Sequence, residues 1–134
     1  MLVWSFGEVR GRVKLEVVAE PMALDLDTAI PVGLILNELI TNALKYAFPG
    51  GRTGHLRVSL RMEERGRLLL SVADDGVGMP ATFEAGQAQS LGLKMIHSLT
   101  RQIKGTLEVR QDCGAEFRVR FPAPAAPAPK LKAP

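Results

Sequence analysis

The residues best suited to chemistry stand on one stretch, Leu34 to Phe48, which reads Leu-Ile-Leu-Asn-Glu-Leu-Ile-Thr-Asn-Ala-Leu-Lys-Tyr-Ala-Phe. At helical spacing Glu38 and Asn42 lie one turn apart on one face, and Lys45 and Tyr46 follow one turn further on. A carboxylate, a carboxamide and an ammonium facing the same way can hold a metal, a water and a phosphate. Val32, Leu36, Leu39, Ile40, Ala43 and Ala47 gather on the opposite face, an apolar half suited to lie on a sheet. Taken alone, such a helix also reads as an ordinary solvated face, so its meaning depends on the other segments.

Two of those segments carry chemistry of their own. Asp74-Asp-Gly-Val-Gly78 places a carboxylate at the end of a strand-like run, followed by glycines at Gly76 and Gly78. Such a turn lets the backbone approach a flat ligand with no Cβ in the way, although a lone Asp-Gly pair is an ordinary turn. Ser90-Leu-Gly92-Leu93 opens a second helical run that reaches Thr100. Free backbone N–H groups at a helix start favour an anion, and glycine removes the side chain that would block it. Between these stretches, Met79 to Leu91 carries Gly86 and only Phe83 as an apolar anchor, which predicts a movable lid.

The elements that must position these residues follow from periodicity and punctuation. Leu2, Trp4 and Phe6 alternate as a short edge strand. Val13 to Ala19 alternates apolar and charged residues as a better strand, ended by Glu20-Pro21. Asp25-Leu-Asp27-Thr28 supplies an N-cap, Pro31 falls in the opening turn, and the helix is expected over Thr28 to Ala47 before Phe48-Pro-Gly-Gly51 stops it. His55 to Met62 and Arg67 to Ala73 read as a hairpin, and Gly105 to Arg110 with Ala115 to Phe121 as a second one around Asp112-Cys-Gly114. This order predicts an α+β fold: a two-layer sandwich with helices packed on one face of a mixed, largely antiparallel sheet. Residues 13–121 form the expected domain, after an N-terminal segment 1–12 and before a Pro/Ala-rich tail 122–134 expected to be disordered.

Composition narrows the classes. A chain of 134 residues with 46% hydrophobic residues suits one domain with a real core. The net charge of +3 concentrates at Arg52, Arg57, Arg61, Arg65 and Arg67, interrupted by Glu63 and Glu64. Few aromatics interleave with that cluster, so a solvated hairpin is expected rather than a nucleic-acid surface. The single cysteine, Cys113, rules out an internal disulfide and a cysteine-rich metal site. No stretch approaches ~18 continuous apolar residues, so no direct membrane insertion is expected and a cytoplasmic location fits.

In their order and separations, Asn37-Glu38…Asn42-Ala-Leu-Lys45-Tyr46, Asp74…Gly76…Gly78 and Ser90-Leu-Gly92-Leu93 resemble the N, G1 and G2 boxes of the Bergerat ATP-binding fold. That fold is shared by gyrase, mismatch-repair and chaperone ATPases and by sensor histidine kinases. The resemblance spans roughly Val13 to Phe121. Its wording, with a short lid and a closing Gly-Ala-Glu-Phe, is most similar to bacterial histidine kinases of the subgroup close to the HWE kinases. It implies the catalytic domain of a two-component kinase that uses ATP and Mg²⁺ to transfer a γ-phosphoryl group to a histidine.

By that resemblance Asn42 is the Mg²⁺ ligand, Lys45 a phosphate contact, Tyr46 a wall beside the adenine and Asp74 the acceptor for the adenine exocyclic amine. Gly76, Gly78, Ser90, Gly92 and Leu93 complete the implied ATP-binding set, and Glu38 is the implied catalytic or water-positioning carboxylate. These roles also make physical sense. A hard cation accepts a carboxamide oxygen while keeping waters and phosphate oxygens. A carboxylate discriminates against guanine, whose carbonyl would leave it unpaired.

Two departures from the family pattern stand out. Ala115 occupies a place where family members often carry Thr, which removes a hydroxyl from the phosphate region. No helical hairpin precedes Val13, so the resemblance implies a kinase fragment or a stand-alone module acting on a partner. The implied partners are a phosphoacceptor-histidine helical hairpin domain and, downstream, a response regulator. His55 and His97 read as ordinary surface or packing residues. An anti-sigma-type serine kinase and a non-catalytic nucleotide-binding or phosphotransfer adaptor are the alternatives on the same fold; an adaptor would have eroded boxes, and these are intact.

Overall fold

The computed structural model describes residues 2–9, 12–78, 91–111 and 113–123. The alternating runs form the strands β1 (Leu2–Val9), β2 (Val13–Ala19), β3 (Gly54–Glu63), β4 (Arg67–Asp74), β5 (Thr106–Gln111) and β6 (Ala115–Pro122), and the helical runs form α1 (Leu26–Tyr46) and α2 (Leu91–Gln102). The strands make one six-stranded sheet in the order β1-β2-β3-β4-β6-β5. β2 and β3 are parallel, and the other neighbours are antiparallel. The sheet is therefore mixed and largely antiparallel, as expected. A parallel pair needs a crossover, and α1 lies within the one joining β2 to β3.

Helix α1 begins earlier than the sequence predicts. Asp25 is the N-cap: its Oδ1 accepts the Thr28 N–H at 3.1 Å, so the helix starts at Leu26 rather than Thr28. Pro31 then sits in the second turn, not the opening one, and removes the helical partner of the Asp27 carbonyl while burying its ring. The buried arc is also rotated from the expected one. Ile35 is fully buried, whereas Leu36 and Ile40 are only partly covered. The reason is that α1 packs against α2 as well as the sheet, so its apolar stripe must serve two neighbours.

Leu56 and Val58 of β3, Leu68, Leu70 and Val72 of β4, and Phe117, Val119 and Phe121 of β6 alternate onto one side of the sheet and meet Ile35, Leu39 and Ile96 of the helices. Each such side chain contributes about 1.5–3 kcal/mol on burial. Their strand neighbours Arg57, Ser59, Arg61, Ser71, Glu116 and Arg118 project from the other side. Beyond α1, buried Phe48 precedes a short 3₁₀ turn at Pro49–Gly51, and Arg12 donates from Nη2 to the Phe48 carbonyl at 3.4 Å. β6 runs one residue past the expected Phe121, and the Ala123 N–H donates to the Gly66 carbonyl at 2.7 Å. Segment 79–90, which holds the expected lid and Ser90, lies outside the described residues, as does the tail from 124 onward.

Candidate functional site

Asp74 ends β4, and the turn after it folds back under its carboxylate. Its Oδ1 accepts the Gly76 N–H at 3.0 Å and the Ala115 N–H at 3.3 Å. Burial raises the carboxyl's pKa above the ordinary aspartate value, against those two amides, which lower it; the neighbouring Asp75 adds to the rise and Arg52 opposes it. The result is a half-buried carboxylate held in place by backbone, which is the means to position one acceptor for a ligand's N–H.

The same turn is fastened to the end of α1. The Val77 N–H donates to the Ala47 carbonyl at 2.8 Å, and a Cβ on Gly76 would collide with that carbonyl. Glycine is required at 76 for this approach. Gly78 adopts φ +79°, a left-handed conformation that favours glycine, and lies against Gly114 in the turn between β5 and β6. Three parts of the chain that are distant in sequence thus meet at the C-terminal end of α1.

That end of α1 carries the residues singled out by type. Asn42 is 7% exposed, so it does not lie on a solvated face; it points into the molecule just before the turn contacts at Ala47. Lys45 and Tyr46 are exposed on the last turn, Tyr46 at 44%, and Glu38 is half-buried one turn before Asn42. On α2, Gly92 is half-buried and Leu93 buried, and the helix packs alongside α1. Glu38, Asn42, Lys45 and Tyr46 therefore share a helix that is clamped to the Asp74, Gly76 and Gly78 turn on one side and to the Gly92 and Leu93 helix on the other.

Two contributors escape sequence reasoning. Ala115 lacks a hydroxyl, yet its backbone N–H reaches Asp74, a contact no side-chain pattern can announce. Asp75 accepts the His55 N–H on Oδ1 at 2.7 Å and pairs Oδ2 with His55 Nδ1 at 2.9 Å. Burial works to raise the pKa of Asp75, but the backbone bond, side-chain bond and charge of His55 outweigh it, and the net direction is down. The doubled aspartate was the available signal; only its first member has an obvious use in a nucleotide turn. His55, read as an ordinary surface or packing residue, is on the surface and also ties the start of β3 to this turn.

The comparisons with known proteins fit this geometry. Residues 27–125 match the family described as histidine kinase-, DNA gyrase B-, and HSP90-like ATPase. Blue-light-activated histidine kinase 2 of Erythrobacter litoralis is 29% identical over 100 residues, covering 75% of this chain and 29% of the relative. The sensor histidine kinase PdtaS of Mycobacterium tuberculosis is 31% identical over 115 residues, covering 82% of this chain and 23% of the relative. The solved histidine kinase domain of the Erythrobacter litoralis EL346 blue-light activated kinase superposes with a TM-score of 0.77 at 27% identity, covering 85% of this chain and 53% of that one. The chain belongs to the histidine kinase-, DNA gyrase B- and HSP90-like ATPase family and is homologous to the catalytic ATPase domain of sensor histidine kinases. It spans less than a third of the length of these curated relatives.

Proposed function

We infer that this chain is the Mg-ATP-binding catalytic domain of a two-component histidine kinase, which transfers the γ-phosphoryl group of ATP to a histidine on a separate helical hairpin. The observation that carries the reading is the carboxylate of Asp74, fixed by the Gly76 and Ala115 amides and clamped against the end of α1. Asp74 accepts the adenine exocyclic amine, Gly76 and Gly78 give the base room, and Tyr46 walls the adenine. Lys45 and the start of α2 at Gly92 and Leu93 meet the phosphates. A guanine carbonyl would leave Asp74 unpaired, so ATP and ADP bind in preference to GTP.

Asn42 would hold the Mg²⁺. Among the described residues no group of three His, Cys, Asp or Glu side chains gathers as a metal cage. A hard cation that fills its shell with water and phosphate oxygens needs only one or two protein oxygens, such as the Asn42 carboxamide. The ion supplies neutralisation of charge on the transferring group. Glu38, one turn from Asn42, orients the nucleophile or a water. The acceptor histidine comes from outside the chain. His97 is exposed on α2, about 7 Å of helical rise from Gly92, and His55 is engaged with Asp75. In-line transfer needs a nucleophile roughly 3–3.5 Å from the phosphorus.

The decisive experiment incubates the purified chain with γ-labelled ATP, alone and with a histidine-bearing helical hairpin. Acid-labile label on the hairpin alone is expected. Acid-stable phosphoserine on a partner would instead favour an anti-sigma-type serine kinase. Acid-labile label on the lone chain that vanishes in His97→Ala would overturn the external acceptor. A response regulator is the downstream partner on this reading.

A further inference from the structure

We propose that Asp75 is a positioning residue for the nucleotide site: its carboxylate stands in for a strand carbonyl and thereby fixes Asp74 and the preference for adenine. The proposal rests on the reading of Asp74 as the acceptor for the adenine amine. It concerns the neighbouring aspartate, which that reading leaves without a task.

The register of β3 and β4 ends with Leu56 opposite Asp74. One step further, an antiparallel pair would exchange two backbone bonds between His55 and Asp75. Only one of them forms: the Asp75 N–H donates to the His55 carbonyl at 3.3 Å. The return bond goes to the side chain, with the His55 N–H donating to Asp75 Oδ1 at 2.7 Å, while the Asp75 carbonyl accepts from Arg52 Nη2 at 3.4 Å. Oδ2 closes the contact on His55 Nδ1 at 2.9 Å. The carboxylate thus completes the ladder and releases the backbone to leave the sheet one residue after Asp74. Gly54 makes room for it, since a Cβ there would collide with both the buried Phe48 ring and Asp75 Oδ1.

The place of this anchor in the turn gives it its effect on Asp74. Asp75 is fixed on His55, and two residues later the Val77 N–H is fixed on the Ala47 carbonyl. Gly76, whose N–H holds Asp74 Oδ1, lies between these two points. Releasing the first of them lets Gly76 shift, and Asp74 with it. A hydrogen bond to a ligand's N–H tolerates only about 0.5 Å in separation, so a small shift is enough to lose it. Global stability gives the carboxylate no comparable role: the His55 and Asp75 side chains are 68% and 52% exposed, and an exposed ion pair contributes little.

The test is titration calorimetry of the full chain with Mg-ATP and with Mg-GTP. Asp75→Ala should weaken ATP about tenfold, the scale of one hydrogen bond to a charged group, and leave GTP, which does not use Asp74, unchanged. Asp75→Asn keeps an oxygen for the His55 N–H and should return ATP affinity to within about threefold of wild type, as expected where geometry rather than charge is the requirement. In an Asp74→Asn background, Asp75→Ala should cost nothing further, because the residue it positions is gone. A merely structural Asp75 would lower ATP and GTP together and add its loss to that of Asp74→Asn; either result, or unchanged ATP affinity in Asp75→Ala beside an ATP-selective wild type, would overturn the proposal alone. A wild type that binds ATP and GTP alike would overturn the adenine reading and the proposal with it.

Discussion

At Asp74 the requirements of the site and of the fold oppose each other. Burial raises its pKa, so the charged form is less favourable in the folded protein than in the unfolded chain. At neutral pH that charge therefore costs stability, and the cost is relieved as pH falls through the raised pKa. Asp74→Asn should leave thermal stability unchanged or higher while weakening ATP by about 1.5–3 kcal/mol, roughly ten- to a hundredfold, in titration calorimetry. Unchanged affinity would remove Asp74 from the site. Wild-type affinity should also fall on acidification at a higher pH than an ordinary aspartate would give, and the variant's should not. Asp75 behaves in the opposite sense: its pKa is lowered, so its contribution is full above the unfolded-state value and is lost as pH falls through the folded one. Asn42 gives the second residue-scale expectation. Asn42→Asp should change the Mg²⁺ dependence and lower turnover far more than it lowers adenosine affinity. Equal losses with and without Mg²⁺ would make this buried amide structural.

Between elements, the decisive contact is the one that fastens the turn after β4 to the end of α1. Gly76→Ala would force a methyl group into the Ala47 carbonyl, and either the turn or the helix end must move. A loss of about 1–3 kcal/mol in chemical denaturation is expected, with a larger proportional loss of ATP binding. Retained stability and affinity together would mean that the contact positions nothing. The elements themselves were legible, because alternation in β2 to β6 and the caps around α1 are local signals. Local signals placed Val32, Leu39, Ala43 and Ala47 in the buried arc but did not reveal Ile35 or Asn42. The dependence of the arc on α2, from a later part of the chain, left Leu36 only partly covered and buried Ile35 and Asn42. The geometry of the candidate site was legible to the same degree. Asp74, Gly76 and Gly78 announce a ligand turn by type, while the Ala115 amide and the His55 clamp exist only through strand register.

For the whole molecule, nucleotide binding and folding should be linked. With Mg-ATP at about a hundred times its dissociation constant, the folded state should gain about 2.7 kcal/mol, and the melting temperature should rise with nucleotide concentration in wild type but far less in Asp74→Asn. GTP at equal concentration should give a smaller rise; an equal one would argue against recognition of the adenine amine. The parallel pairing of β2 with β3 has a further consequence, in the order of events by which the chain acquires its structure. Residues Val13 to Ala19 align with Gly54 to Leu60, and no tight turn can bring them together. The ribbons β3 to β4 and β5 to β6 can close early, but β2 must wait for the long connection holding α1 to settle. The helix that carries Asn42 is then on the route to the native state, and Ile35→Ala should slow refolding in stopped-flow experiments as well as speed unfolding. In a growing polypeptide, that sheet cannot be completed until helix α1 has been laid across it.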